Sequence, residues 1–76
     1  MKEILESIIK NLVENKDEVS INEILVEKSM IFEVKVAESD MGKIIGKQGR
    51  VAKAIRTIIK ALASKEEKRV TIEFIG

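Results

Sequence analysis

The sequence of 76 residues predicts an α+β fold, a two-layer sandwich in which a three-stranded sheet carries its helices on one face. Apolar residues recur at helical spacing near the start and in the second half of the chain, and they alternate at strand spacing in other segments. The predicted order is α-β-β-α-α-β. Residues 1–76 have the length of a single domain.

The first helix is predicted over residues 2–15. Its apolar residues form a wide stripe: Ile4, Leu5, Ile8, Ile9, Leu12 and Val13. β-branched residues predict a strand over residues 19–27. Its alternation of apolar and polar residues is irregular, which is compatible with a β-bulge. A second strand over residues 30–37 alternates regularly and follows a short turn. It places on one face Met30, Phe32, Val34 and Val36.

The second half of the chain predicts two helices and a last strand. Ser39 or Asp40 can cap a short helix over residues 40–45, which ends at Gly46. After a loop at residues 46–49, a helix over residues 50–64 has an apolar face made of Val51, Ile55, Ile58, Ile59 and Leu62. In the predicted strand over residues 68–75, the inward-pointing side chains are those of Val70, Ile72 and Phe74.

The composition argues against several classes of function. The chain has no cysteine and no histidine, which excludes disulfides, thiolate metal sites, a cysteine nucleophile and the commonest general base. No carboxylate pair occurs with a base or nucleophile at useful spacing. We therefore expect no enzymatic activity, no metal and no cofactor. No apolar run approaches the about 18 residues of a membrane span, and we expect a cytoplasmic protein without membrane contact.

Positive charge is concentrated in one part of the chain. Residues 1–40 carry five basic and ten acidic side chains, whereas residues 41–60 carry six basic side chains and no acidic one. The six are Lys43, Lys47, Arg50, Lys53, Arg56 and Lys60. Such asymmetry creates a local positive potential that attracts an anion or polyanion. A solvated helix face that is merely basic is an equally good explanation of charge alone.

The segment at residues 41–50, MGKIIGKQGR, has the glycine content of a ligand-binding loop. A Walker-type phosphate loop needs four residues between its glycines and a hydroxyl after the lysine, but here three residues intervene and Gln48 follows the lysine. A dinucleotide-binding loop needs a different glycine spacing and a longer chain. The spacing of Gly42 and Gly46 also occurs in membrane helix pairs, which the surrounding charge excludes.

A tight link between two helices explains the segment better. Glycine at both corners, Gly46 and Gly49, allows a positive φ and close approach of a ligand. Unpaired N–H groups at the start of the following helix favour a phosphate there, and Lys47 and Arg50 add charge. A glycine-cornered connection without any ligand is the alternative.

The residues from Gly42 to Arg56 resemble the KH domain, whose motif is Ile-Gly-x-x-Gly between two helices, followed by an aliphatic position. The extra helix and strand before the motif resemble the type II arrangement. More narrowly, the chain resembles the small bacterial KhpA-type proteins, which are single KH domains, over nearly its whole length. Ala52 departs from the general pattern, in which many members carry a larger aliphatic residue.

The resemblance implies that the loop clamps the backbone of single-stranded RNA. Gly46 and Gly49 would permit close approach, and Lys47 and Gln48 would reach phosphate oxygens. The flanking residues would complete the site, with Lys43, Arg50 and Lys53 supplying charge and Ile44 and Ile45 an aliphatic groove. Plain burial in the core explains each isoleucine equally well, and at most one of the two can point fully inward.

The resemblance also implies a cellular role and partners. It implies an RNA chaperone or post-transcriptional regulator, linked in some bacteria to cell elongation and cell-wall synthesis. Its partners would be single-stranded RNA and either a second copy, as a homodimer, or the larger KH-containing protein KhpB, as a heterodimer. The alternative is a protein-interaction subunit whose loop is only structural.

Overall fold

The computed structural model describes residues 1–75, which form two helical segments and a three-stranded sheet. Helix α1 spans Lys2–Leu12, and a short 3-10 turn at Lys16–Glu18 leads to strand β1 at Ser20–Val26. Strand β2 spans Ser29–Lys35, helix α2 spans Glu38–Lys65 with an internal break, and strand β3 spans Arg69–Ile75. The predicted α+β fold class is confirmed.

The sheet has the order β1-β2-β3, with β1 antiparallel to β2 and β2 parallel to β3. Pairing between β1 and β2 runs without interruption from Ser20 opposite Lys35 to Val26 opposite Ser29, so β1 has no bulge. A parallel neighbour needs a long crossover, which α2 supplies. Strands β1 and β3 are the two edge strands of the sheet, and β3 comes directly after α2 in the chain.

The core lies between the inner face of the sheet and both helices. The central strand contributes Phe32 and Val34, which are fully buried, and α1 contributes Leu5 and Ile9. The buried face of the second half of α2 consists of Ala52, Ile55, Ile59 and Ala63. The small side chain of Ala52, which departs from the general KH pattern, is thus part of the contact between helix and core.

The prediction that Ile58 belongs to this buried face is wrong, because its side chain is 47% exposed. Successive residues of a helix are rotated by roughly 100°. This rotation turns Ile58 away from the line through Ala52, Ile55 and Ile59. The apolar spacing of the sequence fitted a wider face than the one that the sheet covers.

Neither Ser39 nor Asp40 caps the helix, so both alternatives of the sequence prediction are wrong, and both residues lie inside the first turn of α2. Helix α2 begins at Glu38 with Ala37 as its N-cap, and no side chain caps it. The carboxylate of Asp40, which is only 1% exposed, instead accepts hydrogen bonds from the segment after α1. Its donors are the backbone N–H of Glu14 at 3.1 Å and, for Asn15, the backbone N–H at 3.0 Å and Nδ2 at 3.1 Å.

These hydrogen bonds predict a loss of stability in acid. The backbone N–H of Glu14 is the main cause that lowers the pKa of Asp40. Burial opposes it, the hydrogen bonds from Asn15 and the charge of Lys43 add to it, and the net effect is a lowered pKa. A carboxyl whose pKa is lowered by folding stabilises the protein fully above its unfolded pKa of about 3.9, and the stabilisation is lost as the pH falls through the folded value. For this reason we expect the melting temperature to decrease when the pH is lowered below about 4.

Asp40→Asn tests this account by circular dichroism melts between about pH 2 and pH 7. The variant should melt at a lower temperature than the parent at neutral pH, and the difference should shrink in acid. Asp17→Asn, which changes an exposed carboxylate of the 3-10 turn, is the matched control and should melt like the parent. Equal melting of Asp40→Asn and the parent at neutral pH would show that these hydrogen bonds contribute nothing.

Candidate nucleic-acid interface

Helix α2 is broken at the glycine motif that the sequence singles out. Gly46 is extended, with φ −65° and ψ 174°, and the next three residues are in the left-handed region: Lys47 at φ 54°, Gln48 at φ 63° and Gly49 at φ 70°. Helical conformation resumes at residue 50. Residues 46–49, hereafter the GKQG loop, thus join residues 38–45 to residues 50–65 by a tight left-handed turn.

Two residues of the GKQG loop hold a conformation that normally belongs to glycine. The left-handed region costs roughly 1–2 kcal/mol for a residue with a Cβ atom, and both Lys47 and Gln48 occupy it. Such strain concentrates at ligand clamps and other functional sites. The loop therefore holds these two side chains in a turn that neither residue favours by itself.

The two glycines of the loop serve different purposes. Gly49 has the positive φ that the sequence analysis expected at both corners, whereas the φ of Gly46 is one that any residue adopts. A Cβ atom built on Gly46 would meet no other atom within 4 Å. Neither backbone conformation nor packing requires glycine at residue 46. The open space above it can instead admit the backbone of a ligand.

Four predicted basic residues surround the loop, and all of them are exposed: Lys43, Lys47, Arg50 and Lys53. Lys43 is already paired, because its Nζ atom lies 2.7 Å from Oε1 of Glu14. This hydrogen bond is the main cause that raises the pKa of Lys43. Within residues 1–75, no carboxylate forms an ion pair with the other three. A phosphate that binds Lys43 therefore shares it with the carboxylate of Glu14, whereas it meets no such competitor at Lys47, Arg50 or Lys53.

The two isoleucines before the loop differ in burial. Ile44 is 1% exposed and belongs to the core, so its side chain cannot contribute to a surface groove as the resemblance implied. Ile45 is 51% exposed and lies directly beside Gly46. The apolar contact available to a base next to the loop is therefore Ile45, which Ile44 positions by anchoring this turn of the helix.

Arg56 is a candidate that the sequence analysis did not place in the site. Its Nε atom donates a hydrogen bond to the carbonyl oxygen of Ile72 at 3.3 Å, and its guanidinium lies 5.3 Å from the centre of the Phe74 ring. Arg56 lies three positions after Lys53, close to one helical turn, so the two side chains are neighbours on the surface of α2. That spacing was the only sign of its position in the sequence.

Other kinds of site find no support in the part of the chain that the structure describes. None of the helices in residues 1–75 combines the length and the apolar character that a bilayer crossing requires. Over the same residues, the acidic side chains form no group of three or more that could hold a metal ion.

Comparison with known proteins gives one consistent result. The family model described as "KhpA/KhpB, KH domain" matches residues 2–74. The chain is 61% identical to the RNA-binding protein KhpA of Clostridium acetobutylicum over 75 residues, which are 99% of this chain and 100% of the relative. It is 57% identical to that of Clostridium perfringens over the same shares, and 51% identical to that of Borreliella burgdorferi over 96% and 89%. The search of solved structures found no match.

Proposed function

Because the chain belongs to the KhpA/KhpB KH-domain family, we propose that it binds single-stranded RNA through the GKQG loop, as a binding protein and not as an enzyme. The observation that carries the proposal is the loop itself, in which the space beside the Cα atom of Gly46 is empty although the fold does not require glycine there. A GXXG loop of this kind clamps the backbone of about four nucleotides in KH modules.

In this proposal the phosphates approach the loop from its open side. Lys47 and Gln48 reach phosphate oxygens, and Arg50 and Lys53 lie along the first turns of the following helix, where unpaired N–H groups and the helix dipole also favour an anion. Ile45 offers an apolar surface to one base. Each of these groups is exposed before binding, so RNA needs no opening of the core to reach them.

The proposed mode of binding is governed by phosphates, because the protein offers little aromatic surface. Phe32 is fully buried, and Phe74 is partly buried beneath the guanidinium of Arg56. Stacking on aromatic side chains contributes about 1–3 kcal/mol per base in other single-strand binders, and that contribution is missing here. Affinity should therefore depend strongly on salt and only weakly on sequence.

Fluorescence anisotropy with a labelled RNA octamer tests the proposal. The slope for single strands is roughly −0.7 per phosphate contact. With three to four contacts, we expect the affinity to fall roughly 20- to 50-fold between about 50 and 200 mM salt. The same strand annealed to its complement is the control and should bind more weakly, because its paired bases cannot reach Ile45 beside the loop. Absence of binding at low salt, or binding that salt does not change, would contradict the proposal.

The proposed cellular role follows from the family. The relatives compared above are named RNA-binding proteins, which supports RNA binding. We propose in addition a role as an RNA chaperone or post-transcriptional regulator in the cytoplasm. In this proposal the role is linked to cell elongation and cell-wall synthesis. A short clamp with weak sequence preference suits a protein that contacts many RNAs rather than one.

Pairing with another protein is a second proposed function, and the exposed apolar residues of the two helices favour it. Ile4 and Leu12 of α1 and Ile58 of α2 are each close to half exposed, and Ile4 borders a shallow depression with Met1 and Leu62. A homodimer or a heterodimer with KhpB would cover such a surface. Charge reversal in the GKQG loop should leave this pairing unchanged, which separates it experimentally from RNA binding.

A further inference from the structure

Arg56 lies between the GKQG loop and the edge of the sheet, on the course of an RNA strand that leaves the loop along α2. It lies about 9 Å further along the helix axis than Arg50, where helical conformation resumes after the loop, and one turn beyond Lys53. Its guanidinium touches β3, which is an edge strand. Edge strands present backbone N–H and C=O groups that no neighbouring strand pairs. A single strand that continues from the loop along α2 therefore passes this arginine.

The guanidinium is held in place before any ligand arrives. Its Nε–H group donates to the carbonyl oxygen of Ile72, and the ring of Phe74 supports its planar face. A guanidinium has five N–H donors in a rigid fork. Since Nε is occupied, the donors left for a ligand are those of the two Nη atoms. An arginine that is ordered in this way loses less conformational entropy when it binds.

We propose that Arg56 reads one base of the bound strand and favours guanine or cytosine over adenine and uracil. Guanine presents the adjacent acceptors O6 and N7, which a guanidinium fork binds with two hydrogen bonds. Cytosine presents O2 and N3 as an equivalent pair on its Watson–Crick edge. In adenine the N6 amino donor lies beside the acceptors N1 and N7. In uracil N3–H lies between the two carbonyl groups. Neither base therefore offers two adjacent acceptors to the fork.

This assignment rests on the proposed function, because the GKQG loop must first hold the strand. It adds one position of sequence preference to binding that is otherwise governed by phosphates. Purely structural support of β3 by Arg56 would give no preference among bases. A nonspecific phosphate contact would give none either, and lysine could replace it. Base preference therefore distinguishes the assignment from both alternatives.

The test compares octamers of uridine with octamers that carry one guanosine, cytidine or adenosine at the fifth position, by fluorescence anisotropy at low salt. For the parent protein we expect the guanosine or the cytidine octamer to bind roughly five- to tenfold more tightly than the uridine octamer. The adenosine octamer should bind like uridine. Arg56→Lys keeps the charge but not the fork, and it should bind all four octamers equally.

Two further variants make the result decisive. Phe74→Leu removes the ring beneath the guanidinium and should reduce the preference while uridine binding is kept. Lys60→Gln changes an exposed charge on the same helix, and it should weaken all four octamers alike. Equal binding of all octamers by the parent, or a preference that survives in Arg56→Lys, would overturn the assignment. Failure of the parent to bind the uridine octamer would overturn the proposed function as well.

Discussion

Replacing both Lys47 and Gln48 by aspartate should weaken the binding of single-stranded RNA roughly 100-fold or more, about 3 kcal/mol. The change removes one exposed cation and places two carboxylates where phosphate oxygens are proposed to lie. The loop should keep its shape, because both residues have positive φ and aspartate tolerates the left-handed region better than most residues. Fluorescence anisotropy at low salt measures the loss, and circular dichroism melts check the fold.

A matched pair of substitutions separates this local effect from net charge. Lys2→Asp combined with Ser7→Asp alters the total charge by the same amount on the exposed face of α1, far from the loop in sequence. This control should lose little RNA affinity. If both double variants lost affinity equally, the proposed clamp would be wrong and general electrostatics would be the cause. If the loop variant bound RNA like the parent, RNA would bind elsewhere.

Alanine at each glycine of the loop should separate binding from folding. Gly46→Ala should leave the free energy of unfolding unchanged or raise it by up to about 1 kcal/mol, because φ suits alanine and no atom lies within 4 Å. RNA affinity should nonetheless fall roughly tenfold, about 1.4 kcal/mol, since the new methyl group stands where the ligand backbone approaches. Gly49→Ala should instead destabilise the protein by about 1–2 kcal/mol, because its φ is +70°.

Urea denaturation and RNA titration of the two variants measure these effects side by side. Each variant acts as the control for the other, since the same methyl group is added at two ends of one loop. If the Gly46→Ala variant bound RNA as tightly as the parent, the open space above residue 46 would have no role in binding. The alternative of a loop that is only structural would then be favoured.

The fold was predictable because its signals are local. Regular alternation from Met30 to Val34 indicated a strand with one buried face, and the structure places every second residue there in the core. The i, i+4 spacing of Leu5 and Ile9 indicated the buried side of α1 in the same way. These patterns are repeated along each element, so a few exceptions did not obscure them.

The parts that sequence analysis missed depend on partners far away in the chain. Asp40 resembles a helix cap in sequence, but its hydrogen-bond donors lie 25 and 26 residues earlier. Glu14 pairs with Lys43 across 29 residues, and Arg56 reaches Ile72 across 16. No local pattern reveals such contacts. They nevertheless set Lys43 and Arg56 apart from the other cations of the basic block.

The loop itself was only partly predictable. Glycine spacing identified the turn, and the basic residues around it indicated an anionic partner. Sequence could not show that Lys47 and Gln48 take up the left-handed conformation while Gly46 does not. The chain must turn between two packed helix segments within four residues, and this requirement sets the backbone angles more strongly than the preference of either residue.

The measurement that tests the central claim most directly is a titration of the ¹⁵N-labelled protein with a uridine octamer, followed by backbone amide chemical shifts. The account predicts that the largest shift changes occur at residues 45–50 and 53, with smaller changes along α2 towards residue 56. Amides of the outer face of β1 and β2 should not move. Large changes confined to α1 or to the sheet, with the GKQG loop unaffected, would contradict it.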